Sequence, residues 1–414
     1  MFNLPPTLRH RDFRRFWFGL LGGGFGAQMA SVAVGWQVYA IHRSAFDLGL
    51  IGLAEFVPLP LLALPAGQLA DRLPRSVIAA ISSFAEAIVV GLLLVVTIRG
   101  AHQLWAFVAL AALNGITGAF GAPAKRAMTP EIVPTELLAG ALALRSIAFQ
   151  IATISGPAVG GLLFSIRPEA VYAVGFTLLA ASGVLMLTMP VPRSAERTEV
   201  PRLESLLLGI RFIRASPIIL GAISLDLFAV LFGGAVALLP LYARSILHTG
   251  PFGLGVLRSA TAIGALAAGI MLTHRRLGGR AGRTLFLSVG IFGASIIVFG
   301  FSRWFPLSFA ALAVSGFVDM LSMNIRATSI ALATPNALRG RVTAVESVFI
   351  SASNELGAFE SGMAAALLGA VPAVVAGGAV TILLALVWGR LFPPLAQVDR
   401  LEEIRPRRTA QTAT

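Results

Sequence analysis

Long apolar runs separated by short polar gaps extend through almost the whole sequence. Each run approaches or exceeds the stretch of about 20 residues that an α-helix needs to cross the hydrocarbon core of a bilayer. The pattern predicts an all-α polytopic membrane protein with twelve spans, which we number in chain order. The predicted limits of these spans are 16–41, 46–69, 76–98, 104–123, 138–164, 170–190, 217–243, 252–273, 284–302, 306–326, 342–367 and 371–392.

One longer polar segment divides the spans into two sets of six. Residues 191–216 are charged and bounded by prolines, and the second part of the segment is amphipathic. An interruption between two equal sets of spans predicts two helical bundles. The predicted domains are a first six-helix bundle at 1–190, the central loop at 191–216, a second bundle at 217–392 and a tail at 393–414.

Two pairs of short segments support an internal duplication. The segment "GQLADR" at Gly67 aligns with "GIMLTH" at Gly269, an offset of 202 residues. The segment "PTEL" at Pro134 aligns with "PNAL" at Pro335, an offset of 201 residues. Both pairs fall in equivalent polar gaps. Because the offsets are nearly equal, they favour a parallel repeat of the two bundles.

Composition and charge agree with a membrane protein. Hydrophobic residues make up 57% of the chain and charged residues 12%, whereas a soluble domain has about 25% charged residues. The net charge is +13, but Lys and Arg lie mainly in the gaps, where they set topology, and we expect no nucleic-acid partner. With both termini in the cytoplasm, 26 of the 32 basic residues lie inside. The six outside are Arg43, Arg99, Arg167, Arg244, Arg258 and Arg303.

Sequence patterns of enzymes and metal sites are missing. The chain has no Cys, and its five His lie in loops or tails without the spacing of metal ligands. The phosphate-binding pattern G-x-x-x-x-G-K-[ST] is also missing, which argues against transport driven by ATP. We therefore expect a protein that is not an enzyme and that holds no cofactor or metal.

Three stretches carry a resemblance to a known family. The gap between spans two and three has the pattern G-x-x-x-D-R-x-x-R, formed by Gly67, Asp71, Arg72 and Arg75. Span five has the pattern G-P-x-x-G-G, formed by Gly156, Pro157, Gly160 and Gly161. A third stretch, "RGRVTAVES", begins at Arg339. Together they resemble the major facilitator superfamily, in the branch that contains the enterobactin exporter and macrolide efflux proteins. The resemblance implies the major facilitator fold of two six-helix bundles.

The resemblance assigns a role to the first stretch. In that superfamily the loop acid faces the start of helix eleven and latches the two halves together on the inside. The alternative is that Arg72 and Arg75 only set topology, which leaves Asp71 unexplained. The residues expected in this latch are Gly67, Asp71, Arg72, Arg75, Arg341 and Glu346.

The span-five motif resembles the signature of exporters that is often called the antiporter motif. Gly156 and Gly160 are four residues apart, so they share a helix face and let a partner helix approach closely. Pro157 removes a backbone hydrogen bond and can bend the helix. The resemblance implies that this bend shapes the seam between the halves. A simple glycine-mediated helix contact is the alternative.

Acidic residues inside the spans are the candidates for coupling, because charge at membrane depth costs free energy and marks function. Asp226 and Glu355 come first as proton-coupling residues, followed by Glu55 and Asp319. Arg258 is expected to be the buried counter-ion of Asp226, with a static structural pair as the alternative. The Glu86 side chain is expected to bond to a neighbouring helix. Glu360 is the last of the acids within the predicted spans. Gln28 on span one is expected to line the cavity for an amphipathic ligand.

These features predict a secondary active transporter of a bacterial inner membrane. The first hypothesis is a proton-coupled exporter of a siderophore or an amphipathic drug that works by alternating access. Its expected partners are a small-molecule substrate, protons and the lipid bilayer, and its expected state is a monomer. The alternatives are an uptake permease on the same scaffold and a membrane scaffold or sensor that transports nothing.

Overall fold

The computed structural model describes residues 5–100, 102–189, 203–274 and 279–404. These residues are helical almost throughout, and none of them lies in a β-strand. We number the helices after the predicted spans. Their bounds are α1 Arg11–His42, α2 Ala45–Phe56 continued by Pro58–Arg72, α3 Arg75–Ile98, α4 Leu104–Met128, α5 Leu138–Ile166, α6 Pro168–Leu187, α7 Pro217–Gly233, α8 Pro251–His274, α9 Ala281–Phe301, α10 Phe305–Ala333, α11 Asn336–Leu368 and α12 Ala370–Leu391.

Within the described residues, eleven helices are long and apolar enough to cross a membrane. The protein is therefore an all-α polytopic membrane protein, as predicted. The remaining predicted span, 342–367, lies in α11, which has 33 residues and a length of about 50 Å. This helix is long enough to cross but is not among the eleven apolar ones. It carries three of the acids named above, at Glu346, Glu355 and Glu360.

The chain folds into two compact units. The first unit comprises Met1–Val200 and Leu239–Ser259, and the second comprises Pro201–Leu238 and Ala260–Thr414. The chain passes between the two units at three places. One lies in the polar central loop, one lies a few residues after α7, and one lies inside α8. The domain limits predicted from loop polarity stay a prediction.

In the second unit, α7 is a short helix with an irregular continuation. It ends at Gly233, and the chain goes on as the 3₁₀ turn Ala235–Leu238. The Ser361 hydroxyl of α11 donates a hydrogen bond to the Gly234 carbonyl at 3.2 Å. Irregular backbone at membrane depth needs such a partner, because no water is available there to satisfy the carbonyl. Transport sites are often built beside interrupted helices of this kind.

The hydrophobic core of the second unit includes residues from segments outside the predicted spans. Phe212 of the central-loop helix Leu203–Ala215 is buried, as are Leu395 and Ile404 of the tail. The Val398 carbonyl accepts a hydrogen bond from the backbone N–H of Gly282 at 2.9 Å. The Asp399 carbonyl accepts one from the backbone N–H of Ala281 at 3.0 Å. These are the first N–H groups of α9, which have no partner within their own helix. The described part of the tail is thus a structural part of the unit.

Two glycines bring α8 and α10 together within the second unit. A Cβ at Gly264 would overlap the carbonyl of Ala313, and a Cβ at Gly316 would overlap the carbonyl of Thr261. Small residues allow such close approach of membrane helices. The contact sets the position of α10, which carries Asp319 and Arg326.

Replacing Gly264 with Val should destabilise the protein, because the new side chain has no room between α8 and α10. Overpacking of this kind costs about 1–3 kcal/mol. The apparent Tm in detergent should fall, and less monodisperse protein should be recovered. Gly290→Val is the matched control, because a Cβ at Gly290 meets no atom within 4 Å. Equal Tm values for the two variants would contradict the contact.

Candidate functional site

Charged side chains of the second unit meet between α7 and α10. Nη1 of Arg326 donates a hydrogen bond to the Asp226 carboxylate, and Nη2 lies 3.8 Å from Oδ1 of Asp319. Asp319 and Arg326 are about two turns apart on α10, so they share one face of that helix. The Arg326 side chain is 8% exposed and that of Asp226 is 16% exposed, whereas that of Asp319 is 49% exposed. One buried guanidinium is therefore shared unequally by two carboxylates.

A third acid, on α11, lies beside this group. Glu346 is close enough for its charge to interact with Asp226 and Arg326. Two small cavities border the cluster, and Asp226 and Arg326 line both of them. Glu346 and Phe349 line the first cavity, and Asp319 lines the second. We call Asp226, Asp319, Arg326 and Glu346 the α7–α10–α11 cluster.

The α7–α10–α11 cluster has three carboxyl groups and one guanidinium. A single pair would be neutral, so the additional carboxyls can take up a proton or attract a cation. The arrangement is not that of a metal centre, because no group of three or more His, Asp or Glu among the described residues is placed to hold a metal ion. The chemistry that the cluster supports is reversible protonation next to a fixed ion pair.

The partner of Asp226 in the structure is Arg326 and not Arg258, the predicted counter-ion. Arg258 belongs to the first unit, where its charge interacts with Glu55. The difference between the predicted and the observed partner of Asp226 has a simple origin. The predicted span ends at Arg326, so the sequence indicates a charge at the inner surface. Helix α10 continues to Ala333, which places Arg326 about 10 Å before its end.

A second polar group lies in the first unit. The Asn114 amide of α4 donates a hydrogen bond to Oε1 of Glu55 on α2 at 3.1 Å. Gly115 faces the backbone carbonyl of Glu55, and a Cβ there would overlap it. This close approach of α2 and α4 holds the Glu55 carboxyl beside the amide. Glu55 thus has an amide donor and the nearby positive charge of Arg258.

The span-five motif packs α5 against two elements of the first unit. Gly156 and Gly160 face Gln28 and Met29 of α1. On the other side, Gly161 faces the carbonyl of Pro251, at the first residue of α8. The contact between Gln28 and Gly156 shows that this side chain has a packing role, while its predicted place in a cavity wall stays a prediction.

The same side of α5 makes further contacts with α8, closer to the start of α5. A Cβ at Gly255 would overlap the carbonyl of Pro157. The Ser259 hydroxyl donates a hydrogen bond to the carbonyl of Ile154. Each turn of α8 in this segment therefore contacts the backbone of α5. The motif seats the segment Leu239–Ser259 in the first unit.

The predicted latch is described only in part. Gly67, Asp71 and Arg72 lie outside the side chains that the structure describes. Nη1 of Arg75 donates hydrogen bonds to the carboxylate of Glu131 and, at 3.4 Å, to the carbonyl of Ala127. In the second unit, Gly209 of the central-loop helix packs against the backbone of Arg341. The latch itself stays a prediction.

The remaining membrane acids differ in their surroundings. Oε2 of Glu86 lies 3.7 Å from Nζ of Lys125, so the expected bond to a neighbouring helix is confirmed. Glu355 is half-buried on α11. It follows Glu346 by nine residues, or two and a half turns, so the two side chains leave α11 on opposite sides. Glu355 therefore does not belong to the α7–α10–α11 cluster.

A family model described as transmembrane secretion effector matches residues 4–410. The chain belongs to this family of the major facilitator superfamily. It is a membrane transporter and not an enzyme.

Curated relatives of this transporter match along its whole length. The enterobactin exporter EntS of Escherichia coli (strain SMS-3-5 / SECEC) is 27% identical over 426 residues, which cover 99% of this chain and 98% of the relative. The protein of the same name from Shigella boydii serotype 18 (strain CDC 3083-94 / BS512) is 28% identical with the same coverage.

Solved structures of other transporters share the fold. A bacterial homolog of the human lysosomal transporter Spinster has a TM-score of 0.73 at 14% identity, covering 98% of this chain and 100% of the other. The nucleoside transporter NupG has a TM-score of 0.67 at 14% identity, covering 92% of this chain and 99% of the other. The protein has the major facilitator fold, as the resemblance implied.

Replacing Gly161 with Val should loosen the contact between α5 and the start of α8 in this transporter. The chain has no Cys, so a single Ser259→Cys reporter can be labelled specifically. Ser259 is 3% exposed, and its Cys variant should react slowly with a maleimide. Adding Gly161→Val should speed labelling about fivefold or more, because overpacking costs about 1–3 kcal/mol. Gly118→Val is the control, since a Cβ there meets no atom within 4 Å. Equal labelling rates in the two backgrounds would exclude this seam.

Proposed function

We propose that this transporter exports an amphipathic small molecule, a siderophore or a drug, in exchange for protons. The observation that carries the proposal is the α7–α10–α11 cluster, in which two carboxyl groups lie beside one buried guanidinium and a third lines the same cavity. Acids in excess of their basic partners at membrane depth are costly and are retained for function. Protons are the ligands that such acids bind and release.

The relatives support the direction and the kind of substrate. Both enterobactin exporters match this chain from end to end. The span-five motif, which resembles that of exporters, packs closely against α1 and the start of α8 in the first unit. We therefore take enterobactin as the first test substrate, with amphipathic drugs as the second class.

The proposed setting is a bacterial inner membrane with both termini in the cytoplasm, which follows from the charge bias of the gaps. A monomer is the proposed working unit. Besides the cluster, Glu355 and Glu55 are proposed as further coupling acids, and Gln28 as a contact for the substrate. The loop Gly67, Asp71, Arg72 and Arg75 is proposed, with Arg341 and Glu346, as the inner latch.

Purified protein in proteoliposomes should move enterobactin against an imposed proton gradient. The substrate should accumulate on the side with more protons, and an ionophore that collapses the gradient should stop this accumulation. Enterobactin and pH are followed by mass spectrometry and an enclosed pH dye. Movement of enterobactin together with the protons would instead identify an uptake permease. Movement that ignores the gradient would contradict proton coupling.

Deleting the gene should trap the substrate inside the cell. Comparative mass spectrometry of cells and supernatant is made for the deletion strain and its complemented parent, with and without iron. A siderophore retained in the deletion strain only under iron limitation supports siderophore export. An unchanged metabolite profile in both media would contradict siderophore export, and a drug-susceptibility panel would then test the second class of substrate.

A further inference from the structure

The two acids that flank Arg326 differ in contact and exposure. Asp226 accepts a hydrogen bond from Nη1, whereas Asp319 lies 3.8 Å from Nη2 and makes no hydrogen bond to it. Building on the proposed proton coupling, we propose that Asp319 exchanges the transported proton while Asp226 stays ionised as the fixed partner of Arg326. The sequence alone favours Asp226 as the first coupling acid.

Burial of the guanidinium decides which acid can take the proton. Arg326 is 8% exposed, and it cannot lose its own charge under biological conditions. A proton on Asp226 would remove its hydrogen-bonded counter-ion and leave a buried positive charge poorly compensated. A proton on Asp319 leaves the pair between Asp226 and Arg326 unchanged. The geometry therefore makes Asp319 the less costly site for protonation.

Packing around the two carboxyls leads to the same assignment. The Asp319 side chain is 49% exposed, about three times as much as that of Asp226 at 16%, so the protein encloses it less tightly. A proton can therefore reach the Asp319 carboxyl with less rearrangement of neighbouring side chains. Asp319 also lines a cavity with Ser288 of α9 and Ser322 of α10.

Ser322 supplies a hydrogen-bonding group suited to both states of this acid. Its hydroxyl is buried and has no hydrogen-bond partner among the described residues. A hydroxyl can donate to a carboxylate and can accept from a carboxylic acid. An orphaned hydroxyl that lines the Asp319 cavity can therefore follow the proton on and off without a lasting loss of hydrogen bonds.

The charged groups of the second unit around Asp319 explain how its proton changes the structure. Asp226 of α7 and Arg326 of α10 are its charged neighbours, and α9 contributes the neutral Ser288. Glu346 of α11 lies beside the pair of Asp226 and Arg326. When Asp319 releases its proton, a new negative charge attracts the Nη2 arm of Arg326. Because Nη1 remains on Asp226 of α7, the guanidinium then divides its charge between one carboxylate on α7 and one on its own helix. Protonation of Asp319 leaves Asp226 as the sole counter-charge of this pair, which links the proton to the strength of the contact between α7 and α10.

The test compares variants in proteoliposomes with enterobactin as the probe. Asp319→Asn should lose accumulation driven by a pH gradient, so that the steady-state ratio across the membrane falls to one. Its exchange of enterobactin at equal pH should continue and become independent of pH. Asp319→Glu should restore part of the gradient response. Glu86→Gln is the matched control, because Glu86 is a membrane acid paired with Lys125 in the first unit, and it should keep the full gradient response.

The second acid needs a compensated variant. Asp226→Asn should reduce the yield of folded protein, because it leaves Arg326 without its hydrogen-bonded partner. Adding Arg326→Gln should recover the yield, and this double variant should retain a titrating carboxyl at Asp319. A full gradient response in Asp319→Asn would overturn the assignment.

An infrared measurement separates this assignment from the proposed function. Difference spectra between acidic and alkaline buffer report carboxylic acid groups without any substrate. Asp319→Asn should lose one titrating carboxyl band that the double variant of Asp226 and Arg326 retains. If wild-type protein shows no proton coupling with enterobactin, the proposed function fails, and the spectra still decide which acid titrates. A band that is lost in the double variant and kept in Asp319→Asn would assign the proton to Asp226.

Discussion

A buried guanidinium is the constraint on which the second unit depends. Arg326 carries a permanent charge at 8% exposure, and such a charge is tolerated at membrane depth only beside an opposite charge. Removing one partner from a buried ion pair costs about 3–5 kcal/mol. Asp226 must therefore stay beside Arg326, which fixes the register of α7 against α10. The position of Asp319, seven residues before Arg326 on α10, follows from that register.

Glycine contacts let the helices come close enough to maintain this arrangement. Gly264 and Gly316 bring α8 against α10, and Gly357 of α11 meets the carbonyls of Val230 and Leu231 at the end of α7. Lipid supplies little driving force for association, so close backbone packing has to hold the helices together. The same packing explains why α7 can end at Gly233 in the membrane, because α11 approaches near enough to bond the Gly234 carbonyl.

The sequence predicted the helices well because a membrane span is a local property. Hydropathy over about 20 residues decides it, without knowledge of any partner. Asp226, Asp319 and Glu346 could be singled out for a similar reason, since a charge within an apolar run is visible in the run itself. The error concerning Arg326 arose at a boundary, since the predicted span stopped where α10 continues for seven more residues. The docked tail was also missed, because burial of Leu395 depends on contacts between segments that are distant in the chain.

The ratio of acids to bases separates the structural ion pairs from the α7–α10–α11 cluster. In the first unit, Glu86 meets Lys125 and Arg75 meets Glu131, one acid for one base. In each pair the positive and negative charges balance, and binding of a proton to the acid would break the ion pair. In the second unit, Asp226 alone would satisfy Arg326, yet Asp319 and Glu346 share the same surroundings. Stability of the fold does not require them, because each adds a desolvation cost without a base of its own. Excess carboxyl groups beside a satisfied pair are what a site for reversible proton binding needs, and this excess distinguishes the cluster from ordinary helix packing.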